Sequence, residues 1–188
     1  MLAAETVSKE GDTLFVNKNG IFQRLAIGSN GASLVVSNGL PAWQAQGYGH
    51  MYIYNLGTGS TTITVAATDT YYQIGSGVTG GLVSGFTFQN ARELKALNAG
   101  TYFITFSMVV ECSSSSQAVE GAVMINGVAN TTVSGHSNIG TSNKPMTLSG
   151  NGIVTLAAND LVSTAVLNHS SINNITIDHL MLTILRIG

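Results

Sequence analysis

Four histidines, one cysteine and many serines are the residues of this chain that could carry acid–base, metal or nucleophilic chemistry. His50, His136, His169 and His179 are scattered, and none of them has the close spacing to another histidine or a cysteine that zinc sites use. No Gly-x-Ser-x-Gly elbow follows a strand pattern, so no activated serine is indicated. The sequence therefore predicts no catalytic residue, no metal site and no cofactor, and favours a protein that is not an enzyme.

Three further candidates favour structural interpretations. His179 follows Asp178 within a predicted strand, where neighbouring side chains point to opposite faces, so we expect the two not to share a site. Cys112 falls on the apolar face of its strand, which predicts a buried, inert thiol. Residues 75–81 resemble a phosphate-binding loop but lack its Gly-Lys-Ser/Thr ending, which predicts a flexible loop.

The composition favours a protein that assembles. Only 9% of the 188 residues are charged, whereas 44% are hydrophobic, and an average soluble domain is about 25% charged. A net charge of −2 without any Lys/Arg run disfavours nucleic-acid binding. Residues 1–10 lack the features of a signal peptide, and no apolar stretch is long enough for membrane insertion. Such a surface suits burial against sister subunits.

The chain changes character near Trp43, which predicts two regions, 1–46 and 47–188. In the first region, short extended segments at 14–16, 22–27 and 34–36 alternate with turn signals such as Asn-Gly. Isolated hairpins are only marginally stable in water. We therefore expect residues 1–46 to pair with other chains, as an extended anchor or a short stalk.

The second region carries longer strand patterns. In residues 101–112, Tyr102, Ile104 and every second residue onward to Cys112 are apolar, as in a strand with one core face. Residues 175–187 are apolar on both faces, which predicts burial on both. Further strands are predicted at 51–55, 61–67, 70–74, 86–88, 93–97, 119–125, 131–134, 146–148, 153–157 and 161–167. Many short strands separated by turns predict an all-β, antiparallel jelly-roll sandwich.

Two kinds of feature could contact a ligand. Tyrosines are frequent sugar-stacking platforms, although tyrosines two residues apart, such as Tyr52 and Tyr54, more often pack on one sheet face. The polar segments 113–117 and 134–144 are predicted as loops, which are either binding elements or solvated connections. The candidate ligand contacts are Tyr71, Tyr72, Ser134, His136 and Asn138.

The N-terminal region resembles a segment that recurs in bacteriophage fibre and other virion proteins. The resemblance rests on Gly-Asp-Thr-Leu-Phe at 11–15, Phe-Gln-Arg-Leu-Ala-Ile-Gly at 22–28, Leu-Val-Val-Ser at 34–37 and Gly-Leu-Pro-Ala-Trp at 39–43. It implies that residues 1–46 join the protein to a virion. The attachment residues so implied are Leu14, Phe15, Phe22, Leu25, Ile27 and Trp43.

The second region is similar to the TNF-like jelly roll shared with complement globular heads. The similarity rests on Ala-Gly-Thr-Tyr-Phe-Ile-Thr-Phe at 99–106, Val-Met-Ile-Asn-Gly at 123–127, Leu-Ala-Ala-Asn-Asp-Leu-Val at 156–162 and the apolar terminal strand. Asn159-Asp160 stands where that family has Gly-Asp. The resemblance implies a tight homotrimer, which would also bury the second face of the terminal strand. The interface residues so expected are Phe103, Val109, Met181, Leu185 and Ile187.

These expectations combine into one functional hypothesis. The chain is expected to be a non-enzymatic virion protein, a trimeric head fibre or capsid decoration protein at the particle surface, which is made in the host cytoplasm without a signal peptide. Its partners would be two further copies and a capsid or tail protein, with host glycans as possible ligands. The alternative is a tail-fibre tip that recognises host glycans.

Overall fold

The computed structural model describes residues 10–55 and 61–188, so residues 1–9 of the predicted leader lie outside it. The described residues form sixteen β-strands, and all pairings between them are antiparallel. These residues contain no helix long and apolar enough to span a membrane. The chain divides into two compact units, Met1–Gln46 and Gly47–Gly188.

The first unit consists of two separate hairpins. Its strands are β1 (Thr13–Val16), β2 (Phe22–Leu25), β3 (Ser33–Ser37) and β4 (Leu40–Gln44), and they pair as β1 with β2 and β3 with β4. The Asp12 carboxylate accepts hydrogen bonds from Arg24 Nε at 2.6 Å and from the backbone N–H of Ile27 at 2.9 Å. None of the described residues 10–46 is buried.

The tryptophan of the Gly-Leu-Pro-Ala-Trp motif fastens the second hairpin to the segment before it. Trp43 Nε1 donates to the carbonyl oxygen of Ala26 at 2.7 Å. A Cβ atom on Gly28 would lie 2.6 Å from the indole ring, so this close approach requires glycine. The residues that carry the sequence resemblance therefore define the shape of this unit.

The second unit is a sandwich of two sheets. Its strands are β5 (Tyr48–Tyr54), β6 (Thr61–Ile63), β7 (Tyr72–Gln73), β8 (Thr79–Ser84), β9 (Phe86–Gln89), β10 (Glu93–Ala96), β11 (Gly100–Cys112), β12 (Gln117–Ile125), β13 (Val128–Ile139), β14 (Met146–Leu156), β15 (Leu161–Asn168) and β16 (Ile175–Arg186). The β16 sheet has the order β14-β11-β16-β5-β8, with β6 beside β16, and the β12 sheet has the order β13-β12-β15-β10-β9, with β7 beside β15. This confirms the predicted all-β antiparallel jelly roll.

The core lies between these two sheets. The alternating apolar residues of β11, from Tyr102 to Cys112, are all buried, as their spacing predicts. They pack in one cluster with residues of the β12 sheet such as Val119, Val123 and Val166. Burial raises the pKa of the Cys112 thiol to about 11, and the neighbouring Glu111 carboxylate adds to this, so the thiol is protonated at neutral pH.

A β-bulge in the terminal strand changes which residues face the core. Val109 pairs with His179 but Val110 pairs with Ile177, so Asp178 has no partner on β11. Ile177 and Leu180 are both buried, and Asp178 and His179 between them are both only half-buried. The expectation that Asp178 and His179 point to opposite faces is therefore wrong, because the bulge interrupts the alternation.

Three predicted elements also differ from the structure. The predicted loop 134–144 is strand β13 as far as Ile139, and its polar residues lie on an edge strand of the β12 sheet. The predicted strands 146–148 and 153–157 belong to one strand, β14. Gly150 does not break β14 because its missing side chain makes room for Phe106, whose ring would lie 2.6 Å from a Cβ there. Residues 79–81 of the predicted flexible loop begin β8.

Candidate functional site: an uncharged sheet face

The outer face of the β16 sheet presents four cross-strand rows without Asp, Glu, Lys or Arg. Residues directly opposite one another in a sheet share a face, so the register defines each row across β14, β11, β16 and β5. The rows are Ile153, Phe103, Leu185 and Tyr48; Asn151, Thr105, Thr183 and His50; Ser149, Ser107, Met181 and Tyr52; and Thr147, Val109, His179 and Tyr54. We call these four rows the uncharged face; charged residues border it at one end, where Asp178 lies in the bulge beside His179 and Glu111 lies one row beyond Val109.

Large apolar side chains on the uncharged face are open to solvent in the single chain. Ile153 is 64% exposed, Met181 53% and Leu185 45%. Burying one such side chain fully is worth about 1.5–3 kcal/mol. Ile153 and Leu185 lie in one row, and Met181 lies two rows away across the polar row of Thr105 and Thr183. Exposed apolar side chains grouped on one face without charged neighbours suit a surface that another protein covers.

A groove of about 330 Å³ crosses the uncharged face. Its walls include rings that contact one another: His50 stacks on Tyr52 with centroids 5.5 Å apart, and His179 meets Tyr54 edge-on at 5.1 Å. Among the described residues, His50 Nε2 is buried and has no hydrogen-bond partner. Such an unpaired buried group costs free energy.

The outer face of the β12 sheet is different in character and carries a polar cluster around His169. His169 Nδ1 lies 2.6 Å from a carboxylate oxygen of Asp69, and His169 Nε2 lies 3.2 Å from one of Glu120. The Tyr71 hydroxyl donates to the other oxygen of Glu120 at 2.7 Å. The rings of His136 and His169 lie 5.6 Å apart. We call these five residues the His169 cluster.

The contacts in the His169 cluster shift its pKa values. The hydrogen bond that His169 donates to Asp69 is the largest cause of its raised pKa; burial opposes this rise, and the hydrogen bond to Glu120 and the charges of both carboxylates add to it. Burial alone would raise the pKa of Glu120, but hydrogen bonds from Tyr71, Ser134 and His169 outweigh it and lower the pKa. Burial, and then Glu120, raise the pKa of Tyr71. These shifts favour a protonated His169 between two carboxylates.

This arrangement suits structural or binding chemistry better than catalysis. A protonated His169 donates from both ring nitrogens to carboxylates, so neither nitrogen is left to activate a serine hydroxyl. No group of three or more His, Cys, Asp or Glu side chains in residues 10–55 and 61–188 could hold a metal ion.

The candidate ligand residues are only partly brought together. Tyr71 and His136 belong to the His169 cluster, Ser134 hydrogen-bonds Glu120 within it, and Asn138 is exposed further along β13. Tyr72 lies elsewhere: its hydroxyl accepts from the backbone N–H groups of Ala66 and Ala67, and its ring packs against the core.

Asp69, Glu120 and His169 were not identified from the sequence as cluster residues. They are 49 to 100 residues apart along the chain, and no local pattern joins them. The one signal available was their rarity, since only nine Asp and Glu residues occur in the whole chain.

The other two predicted sets lie on exposed or half-buried surface. Phe103 and Val109 are half-buried on the uncharged face, where Met181 and Leu185 are exposed, and Ile187 is exposed just beyond β16. In the first unit, Leu14, Phe22 and Ile27 are exposed, whereas Phe15, Leu25 and Trp43 are half-buried. Trp43 is engaged within its own unit through Ala26.

Comparison with solved structures places the fold in the TNF-like class. The Eiger TNF of S. frugiperda matches 76% of this chain and 94% of its own, with a TM-score of 0.54 and 9% identity. The vertex protein P5 of PRD1 matches the whole chain and 94% of its own, with a TM-score of 0.51 and 13% identity. No protein-family profile and no curated protein sequence matches the chain. At these identities the likeness shows the fold alone.

Proposed function

We propose that this chain is a non-enzymatic structural protein of a bacteriophage particle, a head fibre or capsid decoration protein whose jelly-roll unit forms a homotrimer. The observation that carries the proposal is the uncharged face, which exposes Ile153, Met181 and Leu185 in four rows without a charged residue. In a single chain, these exposed apolar side chains contribute no hydrophobic free energy to folding. Sister copies that bury it gain hydrophobic free energy at every contact.

The contrast between the two sheets supports one particular orientation in the trimer. Glu120 and His136 lie on the outer side of the β12 sheet together with His169, which follows β15, and these side chains are compatible with water. We therefore propose that the β16 sheet faces the sister copies and the β12 sheet faces solvent. Cyclic symmetry lets the same face serve in every copy, and the TNF-like resemblance favours three copies.

The location on a virion is proposed from two supports. The fold is shared with the PRD1 vertex protein P5 along the whole of this chain. The first unit also exposes apolar side chains such as Leu14, Phe22 and Ile27. We propose that this unit joins the jelly-roll unit to a capsid or tail protein, and that the protein resides at the particle surface.

Particles test the location. Phage particles made with and without this gene would be purified, compared by electron microscopy and analysed by mass spectrometry. The proposal expects the protein in purified particles and a surface projection that disappears without the gene. Particles that never contain the protein would refute it.

A tail-fibre tip that binds host glycans is the second candidate, and the His169 cluster favours it. Carboxylates, imidazoles and a tyrosine hydroxyl on one exposed face are groups that hydrogen-bond sugar hydroxyls. A glycan array would test it: binding that is lost in a Glu120→Gln variant supports this candidate, and an array without any binding rejects it.

A further inference from the structure

The first unit has a defined shape without a core of its own. In the first hairpin, Arg24 hydrogen-bonds Asp12, and Trp43 of the second hairpin hydrogen-bonds the Ala26 carbonyl in the segment before it. Nevertheless, no residue from 10 to 46 is buried. Two-stranded hairpins are marginally stable at best without a third element against them. In a single chain, the apolar side chains of residues 10–46 are therefore left without a covering element.

Each hairpin has one face with exposed apolar side chains. In the first hairpin, Val16 pairs with Phe22 and shares its face with Leu14, and all three are about half exposed or more. In the second hairpin, Leu34 and Val36 share a face, and Val36 is 78% exposed although it lies within a strand. Both faces are open among the described residues.

The charges of the unit do not oppose contact between copies. Its charged residues from 10 to 46 are Glu10, Asp12, Lys18 and Arg24, so positive and negative charges balance. Asp12 and Arg24 also neutralise each other in an ion pair of 2.6 Å. A partner that recognised this unit by its charge would need a net charge on the unit, and residues 10–46 have none.

The chain also keeps the copies close together. Only residues 45–47 separate β4 from β5. In a trimer of jelly-roll units, three copies of the first unit are therefore tethered at an effective concentration of the order of millimolar. Sister units thus meet one another far more often than they meet any free partner.

From these observations we infer that the first units of sister copies cover one another's second-hairpin faces around Leu34 and Val36, so that each unit is completed by residues of a second copy. This inference rests on the proposed trimer. The occupant of the face around Val36 is another copy of residues 10–46, and capsid or tail proteins contact what remains exposed on the assembled units.

Maleimide labelling of the full chain tests this inference. The probe site is Val36→Cys, and the matched control is Asn30→Cys, which lies in an exposed turn of the same unit. Native Cys112 is buried and protonated, so it adds little background. In the purified trimer, we expect the Val36→Cys thiol to react at least tenfold more slowly than the Asn30→Cys thiol.

A second background identifies what covers the site. Adding Leu185→Asp, which is expected to separate the copies, should restore rapid labelling of the Val36→Cys thiol. Equal labelling of the two thiols in the trimer would overturn the inference, because the face would then be open to another virion protein. Slow labelling that persists in separated chains would also overturn it, since the cover would then come from the same chain. Sedimentation tests the proposed trimer separately from this labelling. A native protein that sediments at the mass of one chain would refute the trimer.

Discussion

His169 is the residue whose surroundings could least be read from the sequence. Its two ring nitrogens contact carboxylates from distant segments, Asp69 before β7 and Glu120 on β12. The raised pKa of His169 means that its bonds stabilise the fold fully below its ordinary pKa of about 6.5, and that this stability is lost as pH rises through the raised value. The lowered pKa of Glu120 acts in the opposite sense, and its contribution is lost as pH falls through the lowered value. Both contributions are therefore present together in mildly acidic solution.

A His169→Gln substitution tests this linkage. The variant should lose about 1 kcal/mol or less at mildly acidic pH, because these pairs are partly exposed. As pH then rises through the raised pKa of His169, the native protein should lose stability and the variant should lose less. Urea unfolding at several pH values measures both effects. His136→Gln is the control, since the His136 ring contacts the His169 ring but belongs to neither of the two ion pairs; identical pH profiles for the native protein and the His169→Gln variant would contradict the linkage.

At the scale of the element, the terminal strand carries the most information. Its buried residues are odd-numbered up to Ile177 and even-numbered from Leu180 onward, and the bulge at Asp178 accounts for the change. The switch from odd-numbered to even-numbered core residues is present in the sequence. If the strand is assumed to be regular, however, the same residues indicate apolar side chains on both faces. The bulge instead separates a core face from an exposed face that carries Met181 and Leu185.

Deleting single residues from the terminal strand tests the bulge. Without Asp178, Ile177 would adjoin His179 in regular alternation and every core residue would keep its face, so the protein should fold with little loss of stability. Without Met181, either Leu182 and Ile184 turn outward or His179 turns inward, which should cost several kcal/mol. Thermal unfolding compares the two deletions. Equal destabilisation by both would show that the bulge does not set the phase of this strand.

The sequence predicts a strand well where burial of one face requires an apolar residue at every second position. The alternation from Tyr102 to Cys112 identifies β11 because one face is core. The end of β13 was missed because Ser134, His136 and Asn138 are polar residues on an edge strand, whose composition resembles a loop. Strand β14 was divided because Gly150 resembles a turn signal, whereas it fits against Phe106. In both cases long-range packing outweighs local preference.

At the scale of the whole molecule, the scarcity of charge has a spatial pattern. The four rows of the β16 sheet contain no charged residue, whereas the outer side of the β12 sheet carries Glu120, which is paired with His169 just after β15. The sequence predicts four residues of the uncharged face as contact residues, because Phe103, Val109, Met181 and Leu185 are apolar on the second side of core strands. It does not predict the groove, which is lined by residues of β5, β11 and β16, or the unpartnered His50 Nε2, because both depend on long-range packing.

A Leu185→Asp substitution should separate the copies while leaving the fold intact. Leu185 is exposed in the single chain, so the variant should retain the stability of an isolated chain. In the assembly, an unpaired buried carboxylate costs about 3 kcal/mol or more per contact, which weakens association more than about 100-fold. Light scattering measures the mass. Val128→Asp, at an exposed site in the other sheet, is the control and should leave the mass unchanged.

Sedimentation equilibrium of the purified full chain at micromolar concentration tests self-association through the uncharged face most directly. A homotrimer has three times the 19.5 kDa mass of one chain, and the Leu185→Asp variant should sediment at the mass of one chain. A native protein that sediments at 19.5 kDa would contradict the trimer, and with it the function proposed for the uncharged face.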